Sequence, residues 1–240
     1  MKAAIITSIA MAIALASLSK AHADFTSGQI DVDFGSPGVV VGPAVLGSAG
    51  DVWNQDTNAS AHTTGVLLLT SGVQSTGVTL SLGTAIGVGT LVFQGPFTGT
   101  PYSGLMSAGR VENASDQLII SGLTPLQAYE LYFYSDVTGA DSRWTGFTVN
   151  GDTRYAVNTL GFRTFVEENN FVYFPSESAD SDGRLSIAIS RSQVTSVPDP
   201  VVNGFQIIPV PEPSSFELCA LSVAGLVVPW RVGRGGRSER

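Results

Sequence analysis

The middle of the chain is built from short runs in which apolar and polar residues alternate one for one. In residues 29–34, Ile30, Val32 and Phe34 fall on one face and Asp31 and Asp33 on the other. Residues 78–82 repeat the pattern with Val78, Leu80 and Leu82, and residues 184–190 with Leu185, Ile187 and Ile189. A period of two is that of a half-buried strand, because successive side chains of an extended backbone point to opposite faces. Further strand-like runs are 117–121, 129–135, 144–150, 171–174 and 202–208. Asn150-Gly151-Asp152 and Asp182-Gly183 are turn signals between them. Gly122-Leu123-Thr124-Pro125 reads as a loop entering a strand, and Pro198 and Pro200 mark a turn before the last one. Helix signals are scarce, and no repeat of fixed period is visible. Many short strands joined by glycine-rich turns predict an all-β sandwich or barrel.

The two ends follow other patterns. Lys2 supplies a positive start, residues 3–18 are an uncharged and mostly apolar run, and Ala21-His22-Ala23 is a small-x-small cleavage site. Together these predict a secretory signal peptide over 1–23, with Ala21 and Ala23 marking the cut and signal peptidase as its partner. A membrane anchor or buried helix is the other reading, which the cleavage motif disfavours. At the far end, Val210-Pro211-Glu212-Pro213-Ser214 precedes an apolar run, 216–230, and then Arg231, Arg234, Arg237 and Arg240. The arginines predict a cytoplasmic tail by the positive-inside rule. The prolines cannot continue a helix upward, so they mark its outer boundary. Fifteen residues span about 22 Å as a helix, short of a hydrocarbon core of ~30 Å. Glu217 falls near the outer end, at headgroup level. A short helix docked on the domain is the other reading of this run. Cys219 within it reads as a small apolar filler rather than a lipidation site.

Composition narrows the chemistry. Only 13% of the 240 residues are charged, and 27 are glycine. The charged fraction is about half that usual in soluble domains. The net charge of −8 argues against a nucleic-acid partner. With one cysteine, Cys219, and two histidines, His22 and His62, no intrachain disulfide and no Cys/His zinc cluster is available. Residues 24–208 hold 17 acidic residues against six arginines, a net charge of −11. They predict one acidic, cysteine-free exported domain, long enough for a sizeable core.

The order Val-Pro-Glu-Pro, apolar run, arginine tail resembles the PEP-CTERM sorting signal of Gram-negative, exopolysaccharide-producing bacteria. The resemblance implies processing over 209–240 by exosortase, a membrane transpeptidase-like protease. It also implies a precursor tethered in the inner membrane by a single transmembrane helix, then a product on the cell surface or in the extracellular matrix. The middle has its own resemblance. Val32-Asp33-Phe34-Gly35, Gly42-Pro43-Ala44-Val45-Leu46-Gly47 and Gly50-Asp51-Val52-Trp53-Asn54 come first. Gly122-Leu123-Thr124-Pro125, Tyr129-Glu130-Leu131-Tyr132-Phe133-Tyr134, Phe147-Thr148-Val149-Asn150-Gly151 and Val202-Asn203-Gly204-Phe205-Gln206-Ile207 follow in order. This series is similar to exported bacterial proteins with a galactose-binding-like or malectin-like jelly roll. It implies a single jelly-roll β-sandwich ectodomain over 24–208 and does not name a ligand.

Several chemistries are weighed on the residues. A nucleophilic triad would need His62 as base, and His62 lies in a polar loop-like stretch with no Gly-x-Ser-x-Gly anywhere. Residues 83–89 are glycine-rich but carry no Gly-Lys-Ser/Thr, so no phosphate loop is read. Glu167 and Glu168 are adjacent and would point to opposite faces of an extended chain. Asp31 and Asp33 share a face about 6–7 Å apart, a workable spacing for glycoside cleavage, but that face is the polar one, where solvated carboxylates are expected. Asp180-Ser181-Asp182-Gly183 offers carboxylates at i and i+2 beside a turn glycine, which makes calcium the candidate cation there. A solvated hairpin turn is the other reading of Asp180 and Asp182.

Saccharide binding rests on aromatic rings beside hydrogen-bonding groups. Glu130, Tyr132, Tyr134 and Asp136 share one face of their run, and Leu131 and Phe133 the other, which is read as core. Trp53 beside Asp51 and Asn54, and Trp144 beside Asp141 and Arg143, are expected in loops at sheet ends. The candidate ligand-binding residues are therefore Trp53, Tyr132, Tyr134, Arg143 and Trp144, with cross-strand packing or core edge as the plainer role. The expected function is a non-catalytic, exopolysaccharide- or biofilm-associated carbohydrate-binding module. The alternatives are a structural matrix or surface protein without a specific ligand, and a polysaccharide hydrolase or lyase.

Overall fold

A computed structural model describes residues 25, 27–35, 40, 42–56, 63–82, 90–92, 95–111, 117–136, 144–158, 162–191 and 200–211. The predicted signal peptide, most of the sorting signal, the apolar run 216–230, the arginine tail, His62, Arg143 and Cys219 lie outside them. The chain divides into a unit ending at Val210 and a second from Pro211 to Arg240, of which Pro211 alone is described. Among the described residues, no helix is long and apolar enough to cross a membrane.

The described unit is nearly all β. Its strands are β1 (Ile30–Phe34), β2 (Asn54–Asp56), β3 (Thr63–Leu68), β4 (Gln74–Leu82), β5 (Thr90–Val92), β6 (Ala108–Val111), β7 (Gln117–Ser121), β8 (Ala128–Tyr134), β9 (Thr145–Val149), β10 (Asp152–Ala156), β11 (Phe171–Ser178), β12 (Arg184–Arg191), β13 (Val201–Val202) and β14 (Gly204–Pro209). One helical turn, α1 (Ser103–Met106), interrupts them. A five-stranded sheet has the order β11-β8-β14-β1-β2 and a six-stranded sheet the order β10-β9-β12-β7-β4-β3. A small third sheet holds β13-β6-β5. The chain repeatedly leaves one large sheet for the other, from β7 to β8 to β9 and from β10 to β11 to β12, as a jelly-roll sandwich requires.

Alternation decides the packing. In β12, Leu185, Ile187 and Ile189 are buried while Arg184, Ser186 and Ala188 are exposed. Val78, Leu80 and Leu82 of β4, Leu118 and Ile120 of β7, and Phe147 and Val149 of β9 join them. Ile30, Val32, Phe34, Leu131, Phe133, Phe174, Phe205 and Ile207 meet this layer from the five-stranded sheet. Phe133 stacks on Phe147 at 4.8 Å across the two sheets. Burial of these side chains, each contributing roughly 1.5–3 kcal/mol of transfer free energy, drives the sandwich shut.

The six-stranded sheet turns its other face to solvent, but the five-stranded sheet does not. All five residues of β1 are buried, Asp31 and Asp33 among them at 0% exposure. This corrects the expectation of solvated carboxylates. The outward face of β1, β14 and β8 is covered by loops 42–53, 95–107 and 162–170, and Ala44, Trp53, Phe97, Leu105 and Met106 from these loops form a second apolar cluster with Tyr134 of β8 and Phe171 of β11. A strand covered on both sides has no solvated face, whatever its alternation.

Asn203, just before β14, ties the layers together. Its backbone N–H donates to Tyr134 O at 2.9 Å and its carbonyl accepts from Phe34 N at 2.7 Å. Its side chain accepts from Asp136 N at 2.6 Å and donates to Ala108 O at 2.8 Å. The next residue must be glycine, because a Cβ on Gly204 would lie 2.3 Å from Val32 O. Asn54 makes a comparable clasp between the sheets. Its Nδ2 donates to Asp31 O and Leu68 O, and its Oδ1 accepts from Leu68 N at 2.7 Å.

Candidate functional site

The outward face of the five-stranded sheet gathers most of the polar and aromatic groups singled out in the sequence. Strand register puts Tyr132 directly opposite Tyr173 of β11 on one side and Gln206 of β14 on the other. Gln206 is in turn opposite Asp31 of β1. Glu130, Tyr132, Tyr134, Gln206, Asp31 and Tyr173 therefore share this face by the two-residue period.

One half of the face is a sealed polar network. The Tyr134 hydroxyl donates to Gln206 Oε1 and accepts from Val45 N at 3.1 Å. Gln206 Nε2 donates to Asp31 Oδ1 at 3.1 Å and to Leu46 O at 3.3 Å. Gln29 Nε2 also donates to Asp31 Oδ1, at 2.7 Å. Asp31 Oδ2 has no hydrogen-bond partner among the described residues. Burial is the main cause that pushes the Asp31 carboxyl up to about 7, with the Asp51 charge adding to it and the Gln29 and Gln206 bonds opposing it. Desolvation likewise holds the Tyr134 phenol well above its ordinary range. Trp53 closes this half. Its Nε1–H donates to Gly42 O at 2.8 Å, and its ring meets Tyr134 edge-on at 6.3 Å. At 4% exposure Trp53 offers no surface to a ligand in this arrangement.

The other half opens to solvent. Tyr132 and Tyr173 stack with ring centroids 4.5 Å apart and 23° between planes. Tyr132 is itself buried, and its hydroxyl donates to Glu130 Oε2 at 3.1 Å. Tyr173 and Glu130 are half-buried. Desolvation raises both phenols, and the neighbouring Glu130 charge adds to it, so both remain neutral donors near pH 7. Ring contacts run on from Tyr132 to Phe171, Phe165 and Tyr102, with Phe165 and Tyr102 4.8 Å apart. Phe165, Tyr102 and Tyr173 are all partly exposed. The Phe165 loop is braced by Asn170, whose side chain accepts from Val166 N and donates to Thr164 O. Glu167 projects from the same loop, 3.8 Å from Arg154 Nη1.

The face thus brings Tyr132, Tyr134 and Trp53 together, with only Tyr132 adjoining its open half. Trp144 is half-buried and belongs to neither half. Tyr173, Phe165, Tyr102 and Gln206 were not singled out by sequence. The period of two in 171–174 places Tyr173 outward from the core, but its pairing with Tyr132 depends on strand register. Phe165 and Tyr102 lie in loops without periodicity.

Asp180 and Asp182 lie on the far hairpin. Asp180 Oδ1 accepts from Asp182 N at 2.9 Å and Arg184 N at 2.8 Å, so this oxygen shapes the turn. Among the described residues, no three His, Cys, Asp or Glu side chains group as a metal site would need. Glu167 and Glu168 are exposed, and Glu168 takes a positive φ of 61°.

No family model matches the chain, and no curated protein matches it. Solved structures of similar strand arrangement include a Bacteroides uniformis β-glucuronidase 2, at 15% identity and TM-score 0.46 over 76% of this chain. The Arabidopsis thaliana ANX2 ectodomain matches at 14% identity and TM-score 0.42, covering 77% of this chain and 42% of that one. A family 35 carbohydrate binding module from Clostridium thermocellum matches at 18% identity and TM-score 0.32, over 53% of this chain and 90% of that one. The chain spans 18% of the glucuronidase's length.

Proposed function

We propose that this is a non-catalytic saccharide-binding module, exported and processed by exosortase, and acting on exopolysaccharide at the cell surface or in the matrix. The observation that carries the binding role is the half-exposed aromatic row from Tyr173 through Phe165 to Tyr102, flanked by Glu130 and the Tyr132 hydroxyl. Rings give apolar contact to the C–H faces of a sugar, and fixed donors and acceptors orient its hydroxyls. The carboxylate pair with the spacing for glycoside cleavage, Asp31 and Asp33, is wholly buried, which supports a binding role over a hydrolytic one.

The alternative of a self-assembling structural protein has a feature against it. Edge strand β11 carries Pro175, and its Tyr173 and Ser178 carbonyls already accept from Arg154 Nη1 and Asn150 Nδ2. Those contacts block strand addition along that edge. Co-sedimentation of the purified protein with the source organism's exopolysaccharide, with and without chelator, tests the proposal. Retention that Tyr173→Ala reduces at least tenfold supports it. No retention of the wild type in either buffer overturns it and favours the structural reading.

A further inference from the structure

We propose that residues 42–52 form a proton-controlled strap over the five-stranded sheet, latched through Asp31, Gln206 and Tyr134. The strap is held from beneath by side chains of three different strands. Tyr134 of β8 takes the Val45 N–H, and Gln206 of β14 engages both the N–H and the carbonyl of Leu46. Asp31 of β1 fixes the Gln206 amide by accepting its Nε2–H. The strap also has internal order. Gly42 N donates to Asp51 O, and Ser48 donates to both Asp51 carboxylate oxygens. Gly47 sits at φ +104°, where a Cβ would lie 2.0 Å from Asp51 Oδ2, so the strap carries its own charge folded back on itself. Its far end is pinned where Val52 N donates to Thr70 O at 2.9 Å, and a unit with internal bonds and one fixed end moves as a body rather than fraying residue by residue.

The groups facing Asp31 decide how protons act. Among the described residues they are Gln29 and Asp33 on its own strand, Gln206 and Tyr134 from the neighbouring strands, and Asp51 from the strap. None of these carries a positive charge, and Arg110, the buried cation of the adjoining strand β6, is not among the charges that act on Asp31. With Asp31 neutral, the closed strap covers an uncharged carboxyl. Ionisation places a buried charge under the strap, with one oxygen lacking a partner among the described residues, and sets it against Asp51 above. Opening hydrates that charge and relieves the repulsion. It also uncovers Tyr134 and the Trp53 ring, two aromatic groups that the closed strap withholds. The latch does not depend on the saccharide reading, because its evidence is the hydrogen-bonding beneath the strap.

The sign follows from where Asp31 titrates. The exposed carboxyl titrates near 3.8 and the covered one near 7, so opening becomes easier as pH rises between those values and levels off above 7. Hydrogen exchange of the purified full-length protein, corrected for intrinsic rates, reads this directly. Strap amides are expected to exchange faster than those of Ile187 and Ile189 at every pH. Their protection is expected to fall about a hundredfold from pH 5 to 8. Asp31→Asn removes this pH dependence, and Asp51→Asn, whose one remaining oxygen can still accept from Ser48 N, moves its midpoint to lower pH. Strap exchange only at the rate of the core, or a pH dependence unchanged in both variants, overturns the proposal. If Asp31→Asn does not fold, the Asp51→Asn midpoint decides.

Discussion

Gln206 Nε2 donates to Asp31 Oδ1 at 3.1 Å, joining residues 175 positions apart in the chain. The bond favours the ionised carboxyl, but it lies inside a layer that excludes water, and burial outweighs it and pushes Asp31 up to about 7. Since Asp31 binds its proton more tightly folded than unfolded, its contribution to stability is fully present below about 4 and is lost as pH rises toward 7. Glu177, raised by burial despite its bond from Asn150, acts in the same direction. Urea titrations from pH 4.5 to 8 are expected to show stability falling with pH. Asp31→Asn is expected to remove a component on the order of 3 kcal/mol from that slope. Parallel pH profiles for the two proteins would rule out the assignment.

Asn203→Ala deletes the acceptor for Asp136 N and the donor to Ala108 O, both in a fully buried setting. Two backbone groups are left without partners, at roughly 1–3 kcal/mol each. The expected loss is about 2–5 kcal/mol, read as a lower denaturation midpoint at unchanged slope. A loss below about 1 kcal/mol would show that the clasp is replaceable.

Leu126 is 71% exposed and adopts φ +63° in the turn closed by Gln127 N and Thr124 O. A leucine there is strained and gains little from burial. Leu126→Gly is expected to stabilise by about 0.5–1 kcal/mol, raising the melting temperature by ~1–4 °C. A lower melting temperature would mean that the exposed side chain makes an unrecognised contact.

Arg154 donates to Tyr173 O at 2.5 Å and lies over the Phe174 ring at 5.1 Å. Arg154→Ala frees a carbonyl on edge strand β11. The expected stability loss is about 1 kcal/mol, because the side chain is a third exposed and its ion pairs are screened. Sedimentation velocity is expected to show new self-association of this variant. A strictly monomeric variant at high concentration would mean that Pro175 alone protects the edge.

Alternation revealed the strands that pack the core, since Ile30, Leu80, Leu131, Ile187 and Phe205 recur at a period of two and all are buried. It could not reveal β2 or β10. Asn54–Asp56 is wholly polar and owes its place to the Asn54 clasp, and in β10 only Ala156 is buried. Nor could it show which polar faces are solvated. Asp31 and Asp33 lie opposite core residues, as solvated carboxylates would, yet loops distant in sequence cover them. Trp53 was visible as an aromatic among polar neighbours, but its burial follows from the path of residues 42–52. The open aromatic row depends on the pairing of Tyr132 with Tyr173 and on where the 162–170 loop settles, neither of which a single strand's pattern contains.

Amide chemical-shift mapping with soluble fragments of the exopolysaccharide tests the binding face most directly. Saturable shifts are expected in residues 130–134, 165–173 and around Tyr102, lost in Tyr173→Ala with the remaining spectrum intact. Shifts confined to the Asp180–Arg184 turn or the solvent face of the six-stranded sheet, or none at saturating fragment, would contradict it.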